Sequence, residues 1–282
     1  MSFSSLIGGH VSVAGGIEKS VERAVKEGFD GMQVFVSPPR SFKPNIYSPE
    51  QIDSFRLQYD LANMRFLVQH AIYLLNLSAR DEDLWRASID SIVGYMLLGD
   101  QMGSVGTVVH VGSKMGDESL VRAAEGIREI LAQTPESQCF IIENAASRAR
   151  IGGEVLDIIR LYELVNNTRL KVCLDTQHIF AAGLELANAT VCGRWIEQFD
   201  NEIGSDQIVC LHVNDSKTGC GSGADRHENI LVGKIGEAGF KNFLLHPKMK
   251  NIPIILEVPG SDPKHKGPDR ENKERLEELL RI

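Results

Sequence analysis

A chain of 282 residues, 43% of them hydrophobic, can bury a large core, and one domain of about 250 residues accounts for nearly all of it. Its apolar runs stay below the roughly 18 residues of a membrane span, and Met1 to Gly9 has neither a basic start nor a signal-peptide core, so a soluble, cytoplasmic protein with no membrane partner is expected. The net charge of −8 argues against the basic face that phosphate binding usually requires, unless bound cations reverse the sign locally; three divalent ions would bring the balance to about −2.

Short apolar runs predict strands near Leu6 to Gly9, Met32 to Val36, Phe66 to Gln69, Thr107 to Val111, Cys139 to Glu143, Lys171 to Asp175, Ile208 to Val213 and Ile252 to Val258. Between them, helical spacing of apolar residues predicts helices at Gly16 to Glu27, Asp83 to Gly99, Glu118 to Leu131, Gly153 to Val165 and Thr190 to Phe199, with a charged last helix over Asp269 to Ile282. Asn45 to Glu50 and Gly219 to Asn229 read as loops, the first through its prolines and the second through its glycines and polar residues. Alternating β and α units imply a parallel sheet with right-handed crossovers, and eight of them close into a (β/α)8 TIM barrel, here a single catalytic domain spanning 1–282. No heptad pattern and no unexplained apolar surface helix is visible, so a monomer is expected. The five cysteines are odd in number with no CxxC pair, and Cys139, Cys173 and Cys210 fall within strand runs, which reads as reduced packing residues.

Six strand runs end in a residue able to ligate a metal: VQH at His70, VVH at His110, IIE at Glu143, CLD at Asp175, CLH at His212 and ILE at Glu257. Such endings lie at the carboxyl edge of a barrel, where this fold collects its chemistry. A lone histidine at a strand end is ordinarily a hydrogen-bonded core residue, but three histidines and three carboxylates at equivalent ends change the balance. Like charges 4 Å apart repel by about 4 kcal/mol at an effective dielectric of 20, so Glu143, Asp175 and Glu257 cannot converge as anions without cations between them. Mixed imidazole and carboxylate donors suit Zn²⁺ best, with Mn²⁺ or Fe²⁺ as alternatives. His178 follows Asp175 by three residues, close enough to reach the same cluster from the next loop, and Asp225 and His227 flank Arg226 so that an extended loop turns both to one side. Taken alone, each of these pairs reads equally as a loop hydrogen-bond pair. His10 ends the first strand and could hold a ligand or phosphate from behind, or be a hydrogen-bonded rim residue. Arg40, Lys43, Arg80, Lys114, Arg148, Arg150, Lys217, Arg226 and Lys234 all follow strand ends and should face the barrel mouth.

GGHVSVAGG at Gly8 to Gly16, IIEN at Ile141 to Asn144, LDTQHIFAAG at Leu174 to Gly183, LHVNDSKTGCGSGADRHEN at Leu211 to Asn229 and ILE at Ile255 to Glu257 resemble, along nearly the whole chain, the endonuclease IV family of apurinic/apyrimidinic (AP) endonucleases. The resemblance implies three Zn²⁺ per chain, with Mn²⁺ or Fe²⁺ able to replace zinc at one site. One zinc would be held by His70, His110 and Glu143, a second by Glu143, Asp175, His212 and Glu257, and a third by His178, Asp225 and His227. Glu143 would be the catalytic bridging carboxylate that positions a metal-bound hydroxide. The implied partner is double-stranded DNA containing abasic sites. The implied reaction is hydrolysis 5′ to the lesion in base excision repair, leaving a 3′-hydroxyl and a 5′-deoxyribose phosphate, with trimming of blocked 3′ ends.

The resemblance also places Arg40, Tyr73 and Leu74 in the DNA base stack, against the plainer readings of a solvated arginine and rim residues. The chain departs from the family pattern in Pro38 and Pro39 before Arg40, in Ala71 and Ile72 after His70, in Arg148 and Arg150, and in Leu231 where a glycine commonly follows. All lie outside the nine candidate ligands and bear on DNA affinity. Two other functions fit parts of the pattern. A sugar isomerase or epimerase would use Glu143, Asp175, His212 and Glu257 but leaves His178, Asp225 and His227 unexplained, and a non-catalytic lesion sensor would keep the ligands without turnover.

Overall fold

The computed structural model describes residues 6–38, 41–262 and 266–281. In chain order its first half runs β1 (Ile7–His10), α1 (Glu18–Lys26), β2 (Met32–Phe35), α2 (Pro49–Leu61), β3 (Leu67–His70), α3 (Glu82–Met102), β4 (Gly106–Val109), α4 (Asp117–Ala132) and β5 (Cys139–Glu143). The second half runs α5 (Val155–Val165), β6 (Leu170–Asp175), α6 (Thr176–Ala181), α7 (Ala189–Glu202), β7 (Ile208–His212), β8 (Asp215–Ser216), β9 (His227–Glu228), α8 (Gly236–Leu244), β10 (Ile254–Leu256) and α9 (Arg270–Leu280). Parallel pairing in the order β1-β10-β7-β6-β5-β4-β3-β2 closes a barrel, while β8 and β9 form a separate antiparallel ribbon. Among the described residues no helix is long and apolar enough to cross a membrane.

The expected eight-unit barrel is present, and the differences lie at element ends, in three helices and in the β8–β9 ribbon, whose second strand falls within the segment Gly219 to Asn229 expected to be a loop. α2 starts at Pro49, inside the segment expected to be a loop. Ser48 caps it by accepting from Gln51 N while the Gln51 side chain accepts from Ser48 N, and proline at the first helical position has no amide hydrogen to waste. α6 has no separate sequence signal because it is a six-residue helix continuous with β6, capped by the Asp175 carboxylate accepting from His178 N at 3.0 Å. His178 therefore rides on a helix rather than a loop. α8 lies in a segment assigned no element by its sequence. β1 extends one residue further than expected, so His10 belongs to the strand, whereas His110 and Glu257 lie one residue beyond β4 and β10.

The GGH of β1 has a packing reason. A Cβ on Gly8 would lie 2.5 Å from the Gly31 carbonyl oxygen, and one on Gly9 would lie 2.4 Å from the Phe29 ring. Register then carries polar residues to one edge: Phe35 aligns with His70, Asp175 with His212, and His212 with Ile255. Below that edge, Phe66, Val68, Val108, Ile141, Cys173, Cys210 and Ile255 form an apolar layer inside the barrel.

Candidate metal centre

Glu143, at the end of β5 and fully buried, is the hub. Its Oε2 lies 3.0 Å from His70 Nε2 and 3.1 Å from His110 Nε2, and its Oε1 lies 3.0 Å from His212 Nδ1 and 3.3 Å from His178 Nδ1. His212 Nδ1 is also 3.2 Å from Glu257 Oε2 and 3.9 Å from Asp175 Oδ2. Beside this cluster, Asp225 Oδ1 lies 3.4 Å from His178 Nε2 and 3.2 Å from His227 Nε2, and His227 Nε2 is 3.7 Å from Asp175 Oδ2. All nine residues read from the sequence as ligands thus converge on one face of the barrel.

Most of the imidazoles are aimed from behind. Nδ1 of His70 lies 2.6 Å from Ala71 O, Nδ1 of His178 3.0 Å from Asn144 O and Nδ1 of His227 3.2 Å from Glu257 O. A carbonyl can only accept, so each of these nitrogens bears the proton and each Nε2 is left toward the carboxylates. The carboxylates are braced as well: Asn214 Nδ2 donates to Asp175 Oδ2 at 2.7 Å, Asn214 Oδ1 accepts from Glu257 N at 2.8 Å, and Asn144 Oδ1 accepts from Asp175 N at 2.6 Å. Gln33, in β2 and fully buried, touches His10, His212 and Glu257 together. The sequence reading does not single out Gln33, Asn144 or Asn214. Asn144 and Asn214 sit inside the IIEN and HVND motifs, while Gln33 lies mid-strand with no signal of its own.

Protonation follows from these neighbours. Burial would raise the Glu143 carboxyl, but His110 and His212 outweigh it and hold it well below the usual carboxylate range. Burial would likewise raise Asp225, and His178 and His227 hold it low. Burial pushes His110 down to about 4 against the pull of Glu143. Burial also works against His227, but Asp175 and Asp225 prevail and raise it to about 9. The carboxylates are thus held ionised by the imidazoles that surround them. His110 Nδ1, His178 Nε2 and His227 Nε2 are buried without a hydrogen bond, although the last two lie within ion-pair reach of Asp225.

These side chains form groups that could hold a metal ion. Ligand atoms of His70, His110 and Glu143 lie within 4.8 Å of one another, as do those of Glu143, Asp175, His212 and Glu257, and those of Asp175, His178 and His227. The last grouping brings Asp175 beside the set expected from His178, Asp225 and His227. Cys173 and Cys210, with Sγ atoms 3.6 Å apart, also come near His212, but both are free thiols inside the apolar layer.

The remaining expected residues take clear places, except Arg40, which lies outside the described residues. His10 Nδ1 is 3.2 Å from Glu257 Oε1, which places this residue against the cluster rather than on a detached rim. The Tyr73 ring stacks on His110 with centroids 5.5 Å apart, yet Tyr73 is 54% exposed and Leu74 is exposed beside it. Tyr73 separates a cavity of about 740 Å³, lined by His10, Phe35, His227, Glu257 and Val258, from one of about 120 Å³ lined by His110, Arg150, His178 and Asp225. Not every expected basic residue is free for an anion: Lys114 Nζ is paired with Asp157 at 2.6 Å and Glu154 at 2.7 Å.

The family described as xylose isomerase-like TIM barrel matches residues 21–281. The chain is 34% identical over 258 residues to a probable endonuclease 4 of Halothermothrix orenii, covering 90% of this chain and 93% of that one. It is 32% identical to a probable endonuclease 4 of Chloroflexus aggregans over 98% of both chains. Among solved structures, endonuclease IV from Thermus thermophilus superposes with a TM-score of 0.83 at 32% identity over 97% of each chain. A D-tagatose 3-epimerase-like protein superposes at 0.71 with 19% identity, a likeness of fold alone.

Proposed function

The chain belongs to the endonuclease IV family, and from that premise we propose that it is a DNA-repair endonuclease, one catalytic domain acting as a cytoplasmic monomer, that hydrolyses the phosphodiester bond 5′ to abasic sites in double-stranded DNA. The products would be a 3′-hydroxyl and a 5′-deoxyribose phosphate, with trimming of blocked 3′ ends as an accompanying activity. The observation that carries this reading is the convergence of five imidazoles and four carboxylates at one barrel mouth, in groupings with spacing suited to several cations.

Three Zn²⁺ fit the donor set: His70, His110 and Glu143 would hold one, Glu143, Asp175, His212 and Glu257 a second, and His178, Asp225 and His227 a third. Bound there, the cations supply Lewis acidity toward the phosphoryl oxygens and acidify water near neutral pH. Glu143 turns Oε2 to His70 and His110 and Oε1 to His212, so it would contribute one oxygen to each of the first two sites. The carbonyl-anchored rings of His70, His178 and His227 cannot swing away as charge develops, which keeps the site organised before substrate arrives. Tyr73 and Leu74, exposed at the mouth, would fill the gap left by the missing base together with Arg40, since an abasic nucleotide leaves the stack at low cost.

The test is metal content per chain, on protein purified without chelator, together with cleavage of a duplex carrying one abasic analogue. About three zincs and a cut 5′ to the lesion are expected. Asp225→Ala should then cut poorly, whereas an isomerase working from Glu143, Asp175, His212 and Glu257 would tolerate that change. An intact duplex with one metal or none overturns the reading.

A further inference from the structure

Gln33 stands opposite His10 in the β1–β2 register, with its side chain inside the barrel. Its Nε2 lies 2.6 Å from Glu257 Oε1 and 2.9 Å from His10 Nδ1, and its Oε1 lies 2.9 Å from His212 Nε2. A carboxylate accepts and cannot donate, so the Glu257 contact settles which end of the amide is nitrogen. The carbonyl end then faces His212, and His212 Nε2 must carry a proton. His212 Nδ1, between Glu143 Oε1 at 3.0 Å and Glu257 Oε2 at 3.2 Å, is left as the nitrogen that can exchange its proton for a cation. His10 Nδ1 completes the cluster, 2.9 Å from the amide nitrogen and 3.2 Å from Glu257 Oε1, on a ring lining the 740 Å³ cavity.

We propose that Gln33 is the positioning residue of the centre: it selects Nδ1 of His212 as the ligand atom and aligns Glu257 beside it. This rests on the metal reading above and deepens it. Gln33 acts through His212 and Glu257, two of the side chains grouped at one candidate cation position. A single amide in this place does what a separate carbonyl does for each of His70, His178 and His227.

The test compares the zinc-loaded protein with Gln33→Met, which keeps the length of the side chain and removes the amide. Nitrogen-15 spectra of the histidine rings report the tautomers, and competition with a chelator reports zinc retention. The wild type should show His212 protonated at Nε2 and metal-bound through Nδ1. Gln33→Met, with an unchanged circular dichroism spectrum, should hold one of its zincs roughly tenfold to a hundredfold more weakly and keep the others. Zinc retention equal to wild type, or His212 bound through Nε2, overturns the assignment. If Gln33→Met does not fold, Gln33→Glu retains the acceptor for His212 but sets a carboxylate against Glu257. It should keep the His212 tautomer and weaken one zinc, and undiminished retention again overturns the assignment. A wild type that binds zinc with this tautomer yet leaves an abasic duplex intact sinks the nuclease reading and spares Gln33. A wild type that cuts while Gln33→Met matches it in zinc retention sinks Gln33 alone.

Discussion

The centre is assembled in two different ways on its two sides. On one side, His70, His110, Glu143, Asp175, His212 and Glu257 stand at or just past strand ends, and two residues before each comes Val68, Val108, Ile141, Cys173, Cys210 or Ile255 in the apolar layer beneath. The strand pleat repeats every two residues, so one backbone regularity aims both layers inward and stacks charge on a dry floor. On the other side, His178 comes from the short α6 helix, Asp225 from the segment before β9 and His227 from β9 itself, all outside the closed barrel and its pleat. They are held by particular hydrogen bonds, and Asp225 remains 46% exposed on its side chain. Strand placement is cheap in sequence and hard to lose. Loop placement depends on a scaffold that single substitutions can dismantle.

The largest effect is expected on the strand side. Glu143→Gln removes the charge that faces four imidazoles, and should lower cleavage of an abasic duplex by roughly a thousandfold or more, about 4 kcal/mol of transition-state stabilisation. Metal content should fall with it. A variant that loses less than tenfold would show that the strand side is not where the chemistry is organised.

One layer down, the same strand should behave in the opposite manner. Ile141→Ala deletes a fully buried side chain from the floor and should cost about 2–5 kcal/mol of folding stability by denaturant unfolding. Zinc per folded chain should be unchanged, because the Glu143 side chain is fixed by its own contacts. Loss of zinc at constant folded fraction would mean that the two layers are not separable.

The two modes of assembly explain what is legible in the sequence. Six ligands announce themselves because an apolar run that ends in His, Asp or Glu has little other reason to do so, and the barrel follows from counting those runs. His178, Asp225 and His227 carry no comparable signal. Their spacing alone reads equally as a loop hydrogen-bond pair, and only their place after the strands that supply Asp175 and His212 brings them in. Gln33 is invisible because a mid-strand glutamine differs from a satisfied core amide only through what the neighbouring strands place around it. α2 escapes for a local reason, since Pro49 reads as a breaker although Ser48 and Gln51 make it a helix start.

The loop side should also contribute to the pH response of the metal-free protein. His227 is raised to about 9 in the fold, against burial, by Asp175 and Asp225. A raised pKa contributes stability that is fully present below the unfolded value near 6.5 and is lost as pH rises through about 9. Metal-free protein should therefore lose stability across that window, while zinc-loaded protein, whose imidazoles bind a cation instead of a proton, should not. Identical profiles for the two forms would remove the link between His227 and the metal. Tyr73→Ala tests the mouth between the two sides. It should weaken binding to an abasic duplex by about 1–3 kcal/mol while leaving metal content intact.

The smallest effect probes the scaffold of the loop side. Leu231, four residues after His227, holds φ at 64°, a left-handed conformation that costs a branched side chain about 1–2 kcal/mol. The segment is held there by the buried Asp215 carboxylate, whose Oδ1 accepts from Ser216 N and Ile235 N and whose Oδ2 accepts from Gly233 N, while Lys234 N donates to Ser216 O. Leu231 is itself 41% exposed, so little burial offsets the strain. Leu231→Gly removes the strain but adds freedom to the unfolded chain worth about 0.5–1 kcal/mol, leaving a net gain of up to about 1 kcal/mol. A denaturant midpoint that rises slightly, with zinc content unchanged, would show that Asp215 rather than residue 231 sets the path of the chain beyond His227. An unfolding free energy that falls by more than about 1 kcal/mol would mean that the Leu231 side chain itself anchors the loop, and the division between regular and bond-by-bond assembly would have to be redrawn there.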